Sequence, residues 1–135
     1  MAKILIIEDD PLMVRMYKKI FEFEKYEVET ATDGEEGLKK ASSSKPTLIL
    51  LDIMMPKMNG LQVLEKLKAD DSTKKIPVVI LTNLSGQGDA ETALKMGAVK
   101  YIIKSEYKPE EVTKMVKGIL AGYTRQEIPK TNGKS

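Results

Sequence analysis

Acidic, hydroxyl and cationic side chains follow four short apolar runs in this chain. Glu8, Asp9 and Asp10 come straight after ILII, Asp52 after LILL, Thr82 at the end of VVIL, and Lys104 after KYII. Carboxylates that converge repel one another unless a cation sits among them. The chain has no His and no Cys. Imidazole and thiolate ligands are therefore excluded, along with imidazole bases, phosphohistidine, Cys nucleophiles and disulfides. A ligand set made only of hard oxygens selects Mg²⁺, which keeps several waters and bridges to phosphate oxygens. A carboxylate beside Mg²⁺, a lysine and a hydroxyl is equipped for phosphoryl transfer. The cations balance charge on the equatorial oxygens while the carboxylate attacks in line. Asp10 stands before Pro11 and fits a helix N-cap instead.

That chemistry requires the residues to meet, and the sequence between them predicts how they do. Strand candidates are 4–7, 26–30, 47–51, 78–82 and 100–103. ILII, LILL and VVIL are continuous apolar runs, the pattern of strands buried on both faces of a parallel sheet. The intervening segments have helical spacing. Met13, Tyr17, Ile20 and Phe21 form one stripe behind Pro11. Asp33 with Glu36 predicts a capping box ahead of Leu38 and Ala41. Leu61, Leu64 and Leu67 form a third stripe; Ala90, Ala93 and Leu94 form a fourth that stops at Gly97. Val112, Met115, Val116 and Ile119 form the fifth, with Pro109 at its start. Five βα units joined by right-handed crossovers give an α/β, doubly wound, five-stranded parallel sheet. Ligands of such sheets bind beyond the carboxyl ends of the strands, so the residues after each strand gather at one rim.

The chain has 135 residues, 41% of them apolar and 31% charged, which is the size and composition of one soluble domain. The net charge of +2 resides in residues 123–135, where Arg125, Lys130 and Lys134 face only Glu127, leaving 19 charges of each sign in the body. A neutral body is not the footprint of a nucleic-acid binder. We expect a domain over 1–122 and a polar basic tail over 123–135, disordered or a linker. Lys3 opens directly into ILII, so no secretory leader is expected, and no run nears the roughly 20 apolar residues of a membrane span. The expectation is a cytoplasmic protein with no membrane partner.

IIEDD after strand one, LLDIMMPKMNG after strand three, ILTN after strand four and GAVKYIIK through strand five resemble the receiver domain of two-component response regulators, the CheY-like family. The resemblance covers residues 2 to 121. It implies a flavodoxin-like (βα)5 fold with strand order 2-1-3-4-5. It implies that Asp52 accepts a phosphoryl group, and that Asp9, Asp52 and the Met54 carbonyl hold Mg²⁺, with Glu8 acting mostly through water. Thr82 matches the hydroxyl that moves toward the phosphoryl group, Lys104 the lysine that pairs with it, and Tyr101 the aromatic switch residue. Pro56 and Gly60 shape the loop after Asp52. The implied partners are a histidine kinase or phosphotransfer protein, and a downstream partner or output domain on the face of helix four, strand five and helix five.

The chain departs from the family pattern in places. Asn83 follows Thr82 where a small residue is usual, and Ser105 follows Lys104 where a cis-proline is usual. A cis bond before a non-proline residue costs about 2.5–4 kcal/mol, so a trans Lys104–Ser105 bond is expected. Ala98, Val99 and Lys100 replace part of the GADDY string of OmpR-type DNA-binding regulators, which lowers the expectation of their charged dimer. Met54 and Leu84, two residues beyond Asp52 and Thr82, are apolar where the approach of a hydrolytic water is flanked. Slow self-dephosphorylation is expected. Two other readings use the same residues. A pseudo-receiver would bind partners without phosphorylation. A haloacid-dehalogenase-like phosphatase would need its nucleophile after strand one in an Asp-x-Asp spacing, which IIEDDPLM lacks.

Overall fold

The computed structural model describes residues 2–126, with side chains through 122. Strands β1 (Lys3–Ile7), β2 (Glu27–Ala31), β3 (Leu48–Leu51), β4 (Val78–Thr82) and β5 (Lys100–Ile103) alternate with helices α1 (Pro11–Phe23), α2 (Gly34–Ser44), α3 (Gly60–Ala69), α4 (Gln87–Lys95) and α5 (Pro109–Gln126). All strand pairs are parallel and the order is β2-β1-β3-β4-β5. This is the expected doubly wound sheet with the expected order.

Alternation along the strands divides the core into two layers. Leu5, Ile7, Ile49, Leu51, Val78 and Ile80 point to one face, against α2, α3 and α4 residues such as Ala41, Leu64 and Ala93. Ile4, Ile6, Leu48, Leu50, Val79 and Leu81 point to the other, against Tyr17 and Phe21 of α1 and Val112, Val116 and Leu120 of α5. The apolar runs are continuous because both faces are covered.

Helix ends follow local chemistry. Asp10 caps α1, its Oδ1 accepting from the Leu12 N–H at 3.0 Å, and Pro11 takes the first turn. Gly97, at φ +111°, closes the end of α4 in the left-handed region. The box predicted at Asp33 is half formed. Asp33 accepts from the Glu36 N–H, but the Glu36 carboxylate turns back to the Thr32 N–H. The complete capping box is at Asn59 and Gln62, which bond each other's backbone N–H at 3.0 and 2.9 Å. β2 begins at Glu27 because the Tyr26 N–H is taken by the Phe21 carbonyl at the end of α1. α5 runs to Gln126, past the expected domain end at 122, and 127–135 of the predicted tail lie outside the described residues. No described helix is long and apolar enough to cross a membrane.

Candidate functional site

The carboxyl ends of β1, β3, β4 and β5 share one edge of the sheet. β1 delivers Glu8 and Asp9, and the Glu8 N–H bonds the Ala31 carbonyl of the neighbouring strand end. β3 delivers Asp52, whose N–H bonds the Ile7 carbonyl. Carboxylate oxygens of Glu8, Asp9 and Asp52 all lie within 4.8 Å of one another. Glu8 and Asp52 are buried and Asp9 is exposed, so the cluster has a closed floor and an open mouth.

Lys104 reaches this cluster from the end of β5, through a short 3-10 turn over Lys104–Glu106. Its Nζ donates to Glu8 Oε1 at 2.5 Å and to Asp52 Oδ2 at 3.3 Å. The remaining contacts to the carboxylates come from backbone. The Asp10 N–H donates to Glu8 Oε2 and the Met54 N–H to Asp52 Oδ1, both at 3.1 Å. The described peptide bonds are all trans, Lys104–Ser105 included, as expected. The 3-10 turn itself had no signal in the sequence.

Burial first, then the Asp52 charge, pushes the Glu8 carboxyl up to about 7, against the pull of Lys104. Burial pulls the Lys104 ammonium down, but the Glu8 hydrogen bond and the two carboxylate charges outweigh it and hold the lysine above its ordinary value. The cation is thus secure, and the strain of like charges falls on Glu8.

The loop from Asp52 to α3 is set by close approach. A Cβ on Gly60 would collide with the Asp52 carbonyl and the Ile53 backbone. The Gly60 N–H bonds the Ile53 carbonyl at 2.9 Å, folding the loop back on β3. Met54 stands on this loop, 56% exposed at the rim.

Thr82 is fully buried at the end of β4, and its Oγ1 accepts from the Leu84 N–H at 3.3 Å. Tyr101 lies off the rim, two residues back along β5. Its hydroxyl donates to the Leu84 carbonyl at 2.7 Å. Thr82 and Tyr101 therefore hold the two ends of the same peptide residue.

These placements bring together the acids and the lysine that spacing singled out, while Thr82 ends β4 and Tyr101 lies within β5, both bonded to Leu84. The matching family model is that of the response regulator receiver domain, over residues 4–117. The chain belongs to this family. Among its relatives, response regulator PleD of Caulobacter vibrioides is 44% identical over 103 residues, 76% of this chain and 23% of PleD. The alkaline phosphatase synthesis transcriptional regulatory protein PhoP of Bacillus subtilis is 39% identical over 118 residues, 87% of this chain and 48% of that protein. This receiver thus spans less than half the length of either. A CheY-like receiver domain protein from Methanospirillum hungatei superposes with a TM-score of 0.86 at 31% identity, covering 93% of this chain and 98% of that one. Vibrio cholerae chemotaxis protein CheY4 follows at 0.82 and 28%, covering 88% and 98%.

One residue of this receiver lies at the site although its spacing marked only a core position. Tyr17 of α1 is 3% exposed, yet it lines a small cavity together with Glu8 and Asp52. Only the polar tip of a stripe residue two turns into α1 could have signalled this.

Proposed function

We propose that this chain takes a phosphoryl group onto Asp52 from the phosphohistidine of a histidine kinase or phosphotransfer protein. An Asp52 oxygen attacks phosphorus as the P–N bond breaks, and the donor imidazole leaves with a proton. The observation that carries the reading is the bridge from Lys104 to both Glu8 and Asp52 inside a cluster of three carboxylates. A structural ion pair needs one acid, whereas this lysine stands among three. The oxygen-only donor set fits Mg²⁺. Bound by Asp9, Asp52 and the Met54 carbonyl, with Glu8 acting through water, Mg²⁺ would offset the charge on the phosphoryl oxygens. Lys104 leaves Glu8 to pair with the same oxygens. The reaction is the chain's own modification, followed by slow self-hydrolysis.

The output follows from Leu84. Thr82 bonds its N–H and Tyr101 its carbonyl. A Thr82 hydroxyl drawn toward a phosphoryl group moves that peptide, and Tyr101 with it. The equilibrium of the α4-β5-α5 face then shifts, and a partner or output domain reads the change. The relative PhoP, a transcriptional regulatory protein, is consistent with a receiver coupled to an output. Transfer from a phosphorylated histidine kinase tests the reading. Label should pass to the wild type and not to Asp52→Asn, with amide shifts spreading over α4, β5 and α5. Partner binding without any transfer of label would support the pseudo-receiver reading instead.

A further inference from the structure

Of the buried side chains with a polar group that the mechanism does not use, Thr73 and Thr113 donate to backbone carbonyls, whereas Tyr17 has no bond to a described residue. Tyr17 packs its ring against Phe21, with centroids 6.2 Å apart, and belongs to the core layer beneath α1. A core position of this kind would be filled as well by Phe or Leu. Tyr adds a hydroxyl, and since no fully buried side-chain oxygen among the described residues lacks a hydrogen bond, this unpaired hydroxyl must reach water. The space it borders is a small pocket lined by apolar Ile6, Leu50 and Leu81 and by the acids Glu8 and Asp52. The cavity has room for about one water.

The polar partners fit a water. Among the described residues, the bonds to the Glu8 and Asp52 carboxylates come from Lys104 and from the Asp10 and Met54 N–H groups, not from Tyr17. Each carboxylate oxygen thus keeps room for another donor. Burial and then the Glu8 charge push the Tyr17 hydroxyl up to about 12, so it stays protonated and can donate. A water that accepts from Tyr17 and donates to both carboxylates makes three hydrogen bonds, the usual number for a buried water.

We propose that Tyr17 is a positioning residue of the acidic site: its hydroxyl anchors one ordered water beneath Glu8 and Asp52, fixing the two carboxylates toward the rim. The role rests on the phosphoacceptor reading above, because the carboxylates it positions are those of the proposed Mg²⁺ site. Groups that orient metal-binding side chains from behind typically change metal affinity 10- to 100-fold when removed. One water-mediated contact belongs at the lower end.

The test compares the full chain with Tyr17→Phe, which keeps the ring and its packing on Phe21. Mg²⁺ alone is titrated and followed by amide shifts of Asp9 and Asp52. Tyrosine emission is recorded in parallel, since the chain has five Tyr and no Trp. We expect Tyr17→Phe to bind Mg²⁺ about 10-fold more weakly, with thermal midpoint and fold unchanged. The Mg²⁺-dependent change in tyrosine emission is expected to vanish in the variant. Equal Mg²⁺ affinity in the two proteins overturns the proposal, as does an emission change that persists in full without Tyr17. Lowered thermal stability with unchanged Mg²⁺ affinity also overturns it, since that is a packing role. The phosphoacceptor reading fails separately, if wild type binds Mg²⁺ but a small phosphodonor adds no phosphoryl group to Asp52.

Discussion

Glu8 is 5% exposed and shares the Lys104 ammonium with Asp52. Its carboxyl rises from 4.5 to about 7, first through burial and then through the Asp52 charge. The folded chain therefore keeps a proton that the unfolded chain releases in that interval. The stability this contributes is complete below 4.5 and is lost as pH rises through about 7. Denaturant unfolding of metal-free protein should show stability falling from about pH 5 to about pH 8, by at most roughly 3 kcal/mol. Glu8→Gln should flatten the slope. A wild-type profile as flat as that of Glu8→Gln would show that Lys104 fully neutralises Glu8.

Met54 and Leu84 differ in how they meet the site. Met54 is 56% exposed at the rim, while Leu84 packs partly against the core and lends its backbone to Thr82 and Tyr101. Neither side chain can hold a water in line with phosphorus. Phospho-Asp52 should decay faster in Met54→Asn and in Leu84→Glu than in wild type, and fastest in the double variant. Equal lifetimes across the series, measured by loss of label, would assign the persistence elsewhere. Leu84→Glu also disturbs packing, so Met54→Asn is the cleaner arm.

Among the elements, β3 and its loop do most to place the acceptor. LILL was legible as a buried strand because four apolar residues in a row have one use in a two-layer α/β fold. The turn after it was legible only in part. Pro56 and Gly60 marked a bend, but the reason for Gly60, the Asp52 carbonyl against its Cα, requires the fold. Gly60→Ala should lower stability by about 1–3 kcal/mol through overpacking and slow phosphorylation in parallel, because the displaced group is the backbone of Asp52. A Gly60→Ala protein with wild-type stability and rate would show that the loop absorbs a methyl group. Cap positions were read unevenly. Asp10 and Pro11 act as their types predict, whereas the Asp33 box lost its second bond to the Thr32 N–H. The Asn59–Gln62 box went unread, though N-x-x-Q was in plain view. β2 was placed one residue early. An edge strand with only Ala31 buried gives a weak apolar signal, and α1 claims the Tyr26 N–H.

For the whole molecule, the neutral body and the single acidic rim divide the work. Two apolar layers hold the sheet, and the carboxyl ends of the strands collect charge that the core cannot accept. The acids, Thr82 and Lys104 were legible because strand order turns sequence position into place. Tyr17 was not, because helical spacing alone does not report where the tip of a side chain ends. The central claim is that the rim makes Asp52 a phosphoacceptor, and intact mass tests it most directly. The full chain, Asp52→Asn and Asp9→Asn are each incubated with a small acyl phosphate, with and without Mg²⁺. The account predicts one added phosphoryl group on wild type, only with Mg²⁺, and none on either folded variant. No phosphoryl group on wild type in Mg²⁺, or equal labelling of Asp52→Asn, would contradict it.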